Sequence, residues 1–156
     1  MNEQENIQVQ IEPRWEQQVD AAALQRAIAA VFQAERVPGE AHLSLVIVGD
    51  EEMTRLHEAF RADPGTTDVL TFPYEDEGGD EEMAAYLGDI IVCYEQAARQ
   101  AEEEGHTPQE EMALLAVHGA LHLLGYDDEA PEGRAQMWAR QRAVMEEIGL
   151  GRIAPS

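Results

Sequence analysis

The stretch LLAVHGALHLLGYDDE, residues 114–129, carries two histidines on an apolar segment and then breaks at a glycine before a run of acidic residues. Its apolar half has hardly any polar position, which predicts a helix buried nearly all round. Upstream, Thr107, Pro108 and Glu110 have the spacing of a capping box with proline in the first turn, so we expect the helix to begin there. Gly125 is predicted to end it in the left-handed conformation.

His118 and His122 stand four positions apart, so they lie on one face of this helix, about 6 Å apart along its axis. Two imidazoles at that spacing can reach one metal ion, and buried imidazoles need polar partners in any case. The chain can turn back after Gly125 so that Asp127 or Asp128 supplies a third ligand. Two histidines and a carboxylate with an open position are typical of a catalytic zinc site. The alternative is an aspartate that caps the next helix.

Gly119 occupies the position at which the zinc-protease motif H-E-x-x-H carries its general base. Glycine has no side chain that could take a proton. We therefore expect this position to leave room beside the metal, and we expect no protease mechanism of that type. A metal ion would still lower the pKa of its own water toward about 7, which permits hydrolysis without a neighbouring base.

The rest of the chain predicts an α+β fold, because strands come early and helices late. We expect one domain over residues 1–156, with a small mixed sheet of about four strands, about five helices and the metal site on a central helix. Pro73 favours the end or edge of its strand, and Asp50 is predicted to cap a helix. The predicted strands are residues 6–12, 42–49, 68–74 and 87–93, and the predicted helices are residues 19–36, 51–60, 94–104, 108–124 and 131–148.

The composition limits the classes of partner. Thirty-two acidic residues face ten arginines and no lysine, giving a formal net charge of -22. Such a surface should repel nucleic acid and anionic membranes at long range and attract basic proteins or metal cations, although a local cleft can differ. A polar, acidic N-terminus and the lack of a long apolar run predict a cytoplasmic protein. The single cysteine, Cys93, excludes an internal disulfide and is expected to be buried and inert.

Three stretches have a recognisable order and spacing: FRADPGTTDVLTFPY at residues 60–74, LGDIIVC at 87–93 and HGALHLLGYDDE at 118–129. They resemble segments of the YbeY family of bacterial endoribonucleases and ribosomal-RNA maturation factors. The corresponding family patterns are Y-R-x-x-x-x-x-T-D-V-L-S-F-P, L-G-D-I-x-I-S and H-G-x-L-H-L-x-G-Y-D-H.

The resemblance implies one zinc ion per chain, held at the spacing H-x3-H-x5-H, which corresponds to His118, His122 and residue 128. It also implies that Arg61 binds or helps to cleave the RNA backbone. The chain departs from the family pattern because Asp128 stands in place of the third histidine. We expect the shorter, anionic ligand to approach the ion more closely and to shift its preference toward harder ions such as Mn²⁺. Asp127 remains the alternative ligand.

We therefore expect a zinc-dependent endoribonuclease that cleaves single-stranded RNA in small-subunit ribosomal RNA maturation and ribosome quality control. Ribosomal RNA and basic ribosomal proteins of the small subunit are the expected partners. Arg55, Arg61 and Arg99 are candidates for a local basic groove, although Arg61 could instead pair with Asp63 at the surface. Asp127 is the nearest candidate general base. The alternatives are a non-catalytic ribosome-assembly factor with a structural metal and a protease-like metal hydrolase.

Overall fold

The computed structural model describes residues 6–61, 68–74 and 85–153, without the side chains of residues 60 and 61. Within these ranges the chain forms four strands and five α-helices, as predicted. The strands are β1 (Ile7–Ile11), β2 (His42–Val48), β3 (Val69–Pro73) and β4 (Tyr86–Cys93), and the helices are α1 (Ala21–Ala34), α2 (Asp50–Arg61), α3 (Tyr94–Glu104), α4 (Pro108–Leu123) and α5 (Pro131–Glu147). A short 3-10 turn at Pro13–Trp15 was not predicted.

The four strands form one mixed sheet in the order β1-β2-β4-β3. β1, β2 and β4 run parallel, and β3 lies antiparallel to β4 at the edge. Parallel neighbours need a crossover connection, and α1 provides it between β1 and β2. Pro73 ends the edge strand β3, where a missing backbone donor disturbs the ladder least, so the expectation for this proline is confirmed.

Helix α4 is the central helix of the fold. It contacts α1, α3, α5 and the strands β3 and β4, and most of its residues are buried. Its start is the predicted capping box: Glu110 N donates to Thr107 Oγ1 at 3.1 Å, and Thr107 N donates to Glu110 Oε1 at 3.0 Å. Because all its faces pack against other elements, tertiary contacts rather than helix propensity hold α4 in place.

Gly119 faces the sheet and not the metal-binding face of α4. A Cβ atom added at this position would lie 2.7 Å from Cγ2 of Ile90 on β4. The expectation that Gly119 leaves room beside the metal is therefore wrong. One residue after His118 lies about 100° round the helix, and this direction points into the packed core. The glycine lets α4 approach β4 closely.

Two further expectations concern the start of α2 and the cysteine. Asp50 is the first residue of α2 and not a residue preceding it, and its carboxylate accepts two hydrogen bonds from Arg99, at 2.8 and 2.9 Å. Cys93 is fully buried, as expected, and its thiol donates to Asp50 Oδ1 at 3.2 Å. Among the described residues, none of the helices combines the length and the apolar character that crossing a bilayer requires.

Replacing Gly119 by alanine should destabilise the protein by about 1–3 kcal/mol, because the new methyl group overpacks the contact with Ile90. Urea denaturation monitored by circular dichroism would measure the change. Gly39→Ala is the matched control, since a Cβ at Gly39 meets no atom within 4 Å. Equal midpoints for the two variants would show that the close packing of α4 on β4 does not depend on this glycine.

Candidate metal centre

Three side chains from one short segment converge at the C-terminal end of α4. The Nε2 atoms of His118 and His122 lie 3.1 Å apart. Asp128 faces both rings: Oδ2 lies 3.6 Å from Nε2 of His118, and Oδ1 lies 3.7 Å from Nε2 of His122. Among the described residues, these three form a group whose donor atoms are close enough to share one ion.

The turn after α4 brings Asp128 to the imidazoles. Gly125 has a φ of 104°, in the left-handed region that favours glycine. Tyr126 N donates to Leu121 O at 3.1 Å and Gly125 N donates to His122 O at 3.0 Å, which is the Schellman pattern of helix termination. The predicted left-handed stop is thus confirmed, although the helix itself ends at Leu123. The reversal of the chain carries Asp128 back over the helix end.

Each imidazole is oriented through its other nitrogen. His122 Nδ1 lies 3.1 Å from the backbone oxygen of Tyr126, which can only accept, so this nitrogen donates. His118 Nδ1 lies 2.9 Å from Oε1 of Gln141 on α5 and donates to it in the same way. With both protons on Nδ1, the two Nε2 atoms present lone pairs to each other. Such an arrangement is repulsive without a cation between the rings and favourable with one.

The donor atoms are close enough to share one metal ion. Donor atoms about 2.0–2.1 Å from zinc, at tetrahedral angles, are separated from one another by about 3.3 Å. The two Nε2 atoms lie 3.1 Å apart, and they lie 3.6 and 3.7 Å from different oxygens of Asp128, so each distance is within about 0.4 Å of that value. Two neutral nitrogens and one carboxylate oxygen also form a donor set that zinc and harder divalent ions accept.

The protonation state of His118 favours metal binding. Burial of its ring lowers the pKa of His118 below the ordinary value of a histidine. The hydrogen bond to Gln141 and the charges of Asp128 and Asp68 act in the opposite direction, while the charge of His122 acts in the same direction as burial. The ring is therefore neutral at pH 7, which is the form that offers a lone pair to a metal.

A second set of contacts fastens the turn to two other helices. The Tyr126 hydroxyl donates to Oε1 of Glu35 at 2.6 Å, and Arg140 Nε donates to Oε2 of the same carboxylate at 2.7 Å. The hydrogen bond to Glu35 raises the pKa of Tyr126 above its ordinary value. Arg140 and Gln141 are neighbours on α5. Gln141 on α5 therefore contacts His118 directly. Arg140 on the same helix supports His122 indirectly, because it holds the Glu35 carboxylate that binds Tyr126, whose backbone oxygen accepts from His122.

These supporting residues were missed by sequence reasoning. Gln141 is only 1% exposed and shares the buried side of α5 with Met137 and Val144. Gln141 follows Met137 by four positions and precedes Val144 by three, so helical periodicity places it on their buried side. This spacing was the signal that could have identified it. Glu35 gave no comparable signal, because its contact with Tyr126 joins residues 91 positions apart.

The structure brings together His118, His122 and Asp128, and their role as ligands stays a prediction. Asp127, the alternative, is exposed, and its Oδ1 accepts a hydrogen bond from Glu129 N at 2.9 Å as part of the turn. Arg61 is the last residue of α2, but its side chain lies outside the described part of the chain, as does Asp63.

The remaining candidates for a basic groove bind carboxylates of their own surroundings. Arg55 pairs with Glu52 one turn earlier on α2, and Arg99 pairs with Asp50. These pairs neutralise both guanidinium groups locally. Neither Arg55 nor Arg99 therefore offers an uncommitted positive charge to an RNA backbone.

Comparison with known proteins gives a consistent result. A family model described as Endoribonuclease YbeY matches residues 2–149. The chain is 37% identical over 150 residues to the endoribonuclease YbeY of Roseiflexus castenholzii, covering 94% of each chain. It is 45% identical over 141 residues to that of Chloroflexus aggregans, covering 86% of this chain and 91% of the relative. A protein of Thermotoga maritima solved in solution aligns with a TM-score of 0.62 at 28% identity, covering 91% of this chain and 88% of that one.

Metal affinity should fall as the pH is lowered, because protons compete with the metal for the two imidazoles. Between pH 7.5 and pH 5 we expect a loss of at least about tenfold, centred near or below pH 6.5. The lowered pKa of His118 moves its share of this loss to the acidic end of the range. Competition with a chromophoric chelator would measure the affinity, and the same value at both pH limits would contradict ligation by histidine.

Proposed function

The chain belongs to the YbeY family of endoribonucleases, and on this premise we propose that it cleaves single-stranded ribosomal RNA. The proposed reaction depends on zinc and takes place during maturation and quality control of the small ribosomal subunit. The observation that carries the proposal is the convergence of His118, His122 and Asp128 within 3.1 to 3.7 Å of one another. The reaction is hydrolysis: water adds across a phosphodiester P–O bond and leaves one phosphate end and one hydroxyl end.

Each residue of the centre has a separate task in this proposal. The Nε2 atoms of His118 and His122 and a carboxylate oxygen of Asp128 hold the ion. A divalent ion in such a site supplies a Lewis acid and a more acidic water near neutral pH. Gln141 and the backbone oxygen of Tyr126 keep the two rings from rotating by accepting their Nδ1 protons. Preorganised ligands reduce the reorganisation that accompanies reaction.

Arg61 is proposed to bind the phosphate of the bond that is cleaved. A guanidinium group can donate two parallel hydrogen bonds to phosphate oxygens and can stabilise negative charge that develops there. The support for this role is its match to the arginine in the family segment at residues 60–74 and its place at the end of α2.

The aspartate ligand distinguishes this chain from the three-histidine pattern of its family. A carboxylate adds a negative charge to the site, so the metal-bearing centre is less positive than one made of three neutral imidazoles. This change favours harder ions relative to zinc, although zinc remains compatible with the donor set. We propose one zinc per chain.

The protease-like alternative loses its support at Gly119. Glycine has no group that can take a proton, and a Cβ atom added here would lie 2.7 Å from Cγ2 of Ile90, so this packing does not accommodate a glutamate without a shift. The other alternative, an assembly factor with a structural metal, differs from the proposed enzyme in one respect that can be measured: it needs no group that contacts the scissile phosphate.

The charge of the chain suits a ribosomal setting. A net charge of -22 attracts basic proteins, and small-subunit ribosomal proteins of that character are the proposed partners besides the RNA substrate. The proposal implies work in the cytoplasm, where ribosomes are assembled.

Wild-type protein, without a tag, should contain about one zinc per chain by elemental analysis, and Asp128→Ala should lose it or bind it at least about tenfold more weakly. Asp127→Ala is a matched control, since it removes the same charge one residue away. If Asp127→Ala loses the metal and Asp128→Ala keeps it, the ligand assignment is wrong.

Arg61→Ala should lower the rate of cleavage of a single-stranded RNA by at least about tenfold and leave zinc content and thermal stability unchanged. Gel analysis of an end-labelled RNA would give the rate. Arg55→Ala, on the same helix and already paired with Glu52, is the control and should cleave normally. An unchanged rate in Arg61→Ala would remove this residue from the mechanism. Zinc-loaded wild type that cleaves no RNA would favour the assembly factor.

A further inference from the structure

The arginines of this acidic chain are mostly committed to carboxylates. Among the described residues, those in ion pairs are Arg14, Arg55, Arg99, Arg140 and Arg152. Arg134 is not among them, since no carboxylate oxygen of the described part of the chain lies within 4.0 Å of its guanidinium nitrogens; the same holds for Arg26, Arg36 and Arg142, but only Arg134 of these four bonds to a residue of the metal centre. Its positive charge is therefore available to a ligand.

Arg134 lies beside the metal centre, in the first turn of α5, with an exposed side chain. Its Nε donates to the backbone oxygen of Asp128 at 3.1 Å. The guanidinium group is thereby tethered to the same residue whose carboxylate faces His118 and His122. Within the described ranges, this bond engages only Nε, so both terminal nitrogens remain free to donate.

Trp138 lies one helical turn further along α5. Its ring centre is 6.0 Å from Cζ of Arg134, at the outer limit of a cation–π contact, and its side chain is half-buried. The second tryptophan, Trp15, is placed differently, since its ring stacks on Tyr94 at 4.4 Å. Trp138 therefore combines an aromatic ring that solvent can reach with a neighbouring uncommitted cation.

We propose that Arg134 and Trp138 form a binding site for one nucleotide of single-stranded RNA next to the metal centre. The terminal nitrogens of Arg134 bind a phosphate, and the indole of Trp138 stacks on a base. Aromatic rings and cationic side chains along one groove are the general means by which proteins hold single strands without reading their sequence. The inference rests on the proposed function, because it extends the RNA path of that same site.

The position of the pair explains how a chain of net charge -22 can accept an anion here. The hydrogen bond to Asp128 holds the guanidinium close to a centre that gains two positive charges when a divalent ion is bound. Arg134 and a bound divalent ion would together contribute three positive charges against the one negative charge of Asp128, and screening would reduce the effect of more distant carboxylates.

Tryptophan fluorescence tests the proposal directly. Trp15→Phe leaves Trp138 as the sole tryptophan, and the zinc-loaded variant would be mixed with a short oligouridine in a stopped-flow instrument, before cleavage proceeds. We expect a saturable quench. Arg134→Ala in the same background should raise the dissociation constant about fivefold and lower the slope of log K against log salt by about 0.7. Arg142→Ala, an exposed arginine two turns further on α5, should change neither quantity.

Two more variants separate binding from a structural role of the pair. Trp138→Leu should weaken binding of a labelled oligouridine by about fivefold or more, whereas Trp138→Phe should retain part of the stacking. In cleavage assays Arg134→Ala should raise KM with little change in kcat. If Arg134→Ala is too unstable to measure, Arg134→Lys takes its place. It keeps the charge, so its binding should retain most of the salt dependence.

The outcomes distinguish this inference from the proposed function. If wild type cleaves RNA but oligouridine does not quench Trp138, or Arg134→Ala behaves as Arg142→Ala does, the nucleotide site is wrong and the endoribonuclease assignment stands. A quench by an arginine-rich peptide but not by RNA would assign the pair to a protein surface and overturn the inference. If wild type neither binds nor cleaves RNA, both proposals fail.

Discussion

The arrangement of the site depends on two protons. The Nδ1–H group of each imidazole on α4 donates a hydrogen bond to an oxygen, which is Gln141 Oε1 for His118 and Tyr126 O for His122. The two Nε2 lone pairs therefore face each other at 3.1 Å. A buried helix that carries two such rings has few ways to satisfy them. The Schellman turn, the reach of Asp128 across it and the packing of α5 over the helix end all serve this one requirement.

Local signals made most of the fold predictable. The capping box at Thr107 and the left-handed Gly125 act within a few residues, so their effect could be read directly from the sequence. The edge position of Pro73 followed from its missing N–H group. The convergence of His118, His122 and Asp128 was also local, because one helix and one turn contain all three.

Contacts across the chain were not predictable in the same way. Gln141 reaches His118 over 23 positions, and Glu35 reaches Tyr126 over 91 positions. Neither pairing follows from any spacing. The prediction that Gly119 leaves room beside the metal failed for a related reason. The sequence shows that Gly119 follows a histidine, but it does not show that Ile90, on a strand distant in the chain, fills the space beside it. Single-sequence reasoning identifies the ligand candidates but cannot identify what holds them.

The order in which a ribosome makes this chain gives α5 a further importance. All three candidate ligands are part of the chain once Asp128 is synthesised, but the acceptor for His118 and the arginine that binds Glu35 follow at positions 141 and 140. A nascent chain that stops before α5 has its ligands without their supports. Domains fold as their segments become available, so the two imidazoles and the turn gain their fixed orientation only after α5 has packed against them. Deletion or late folding of α5 would therefore leave the candidate ligands in the chain but without the contacts that orient them.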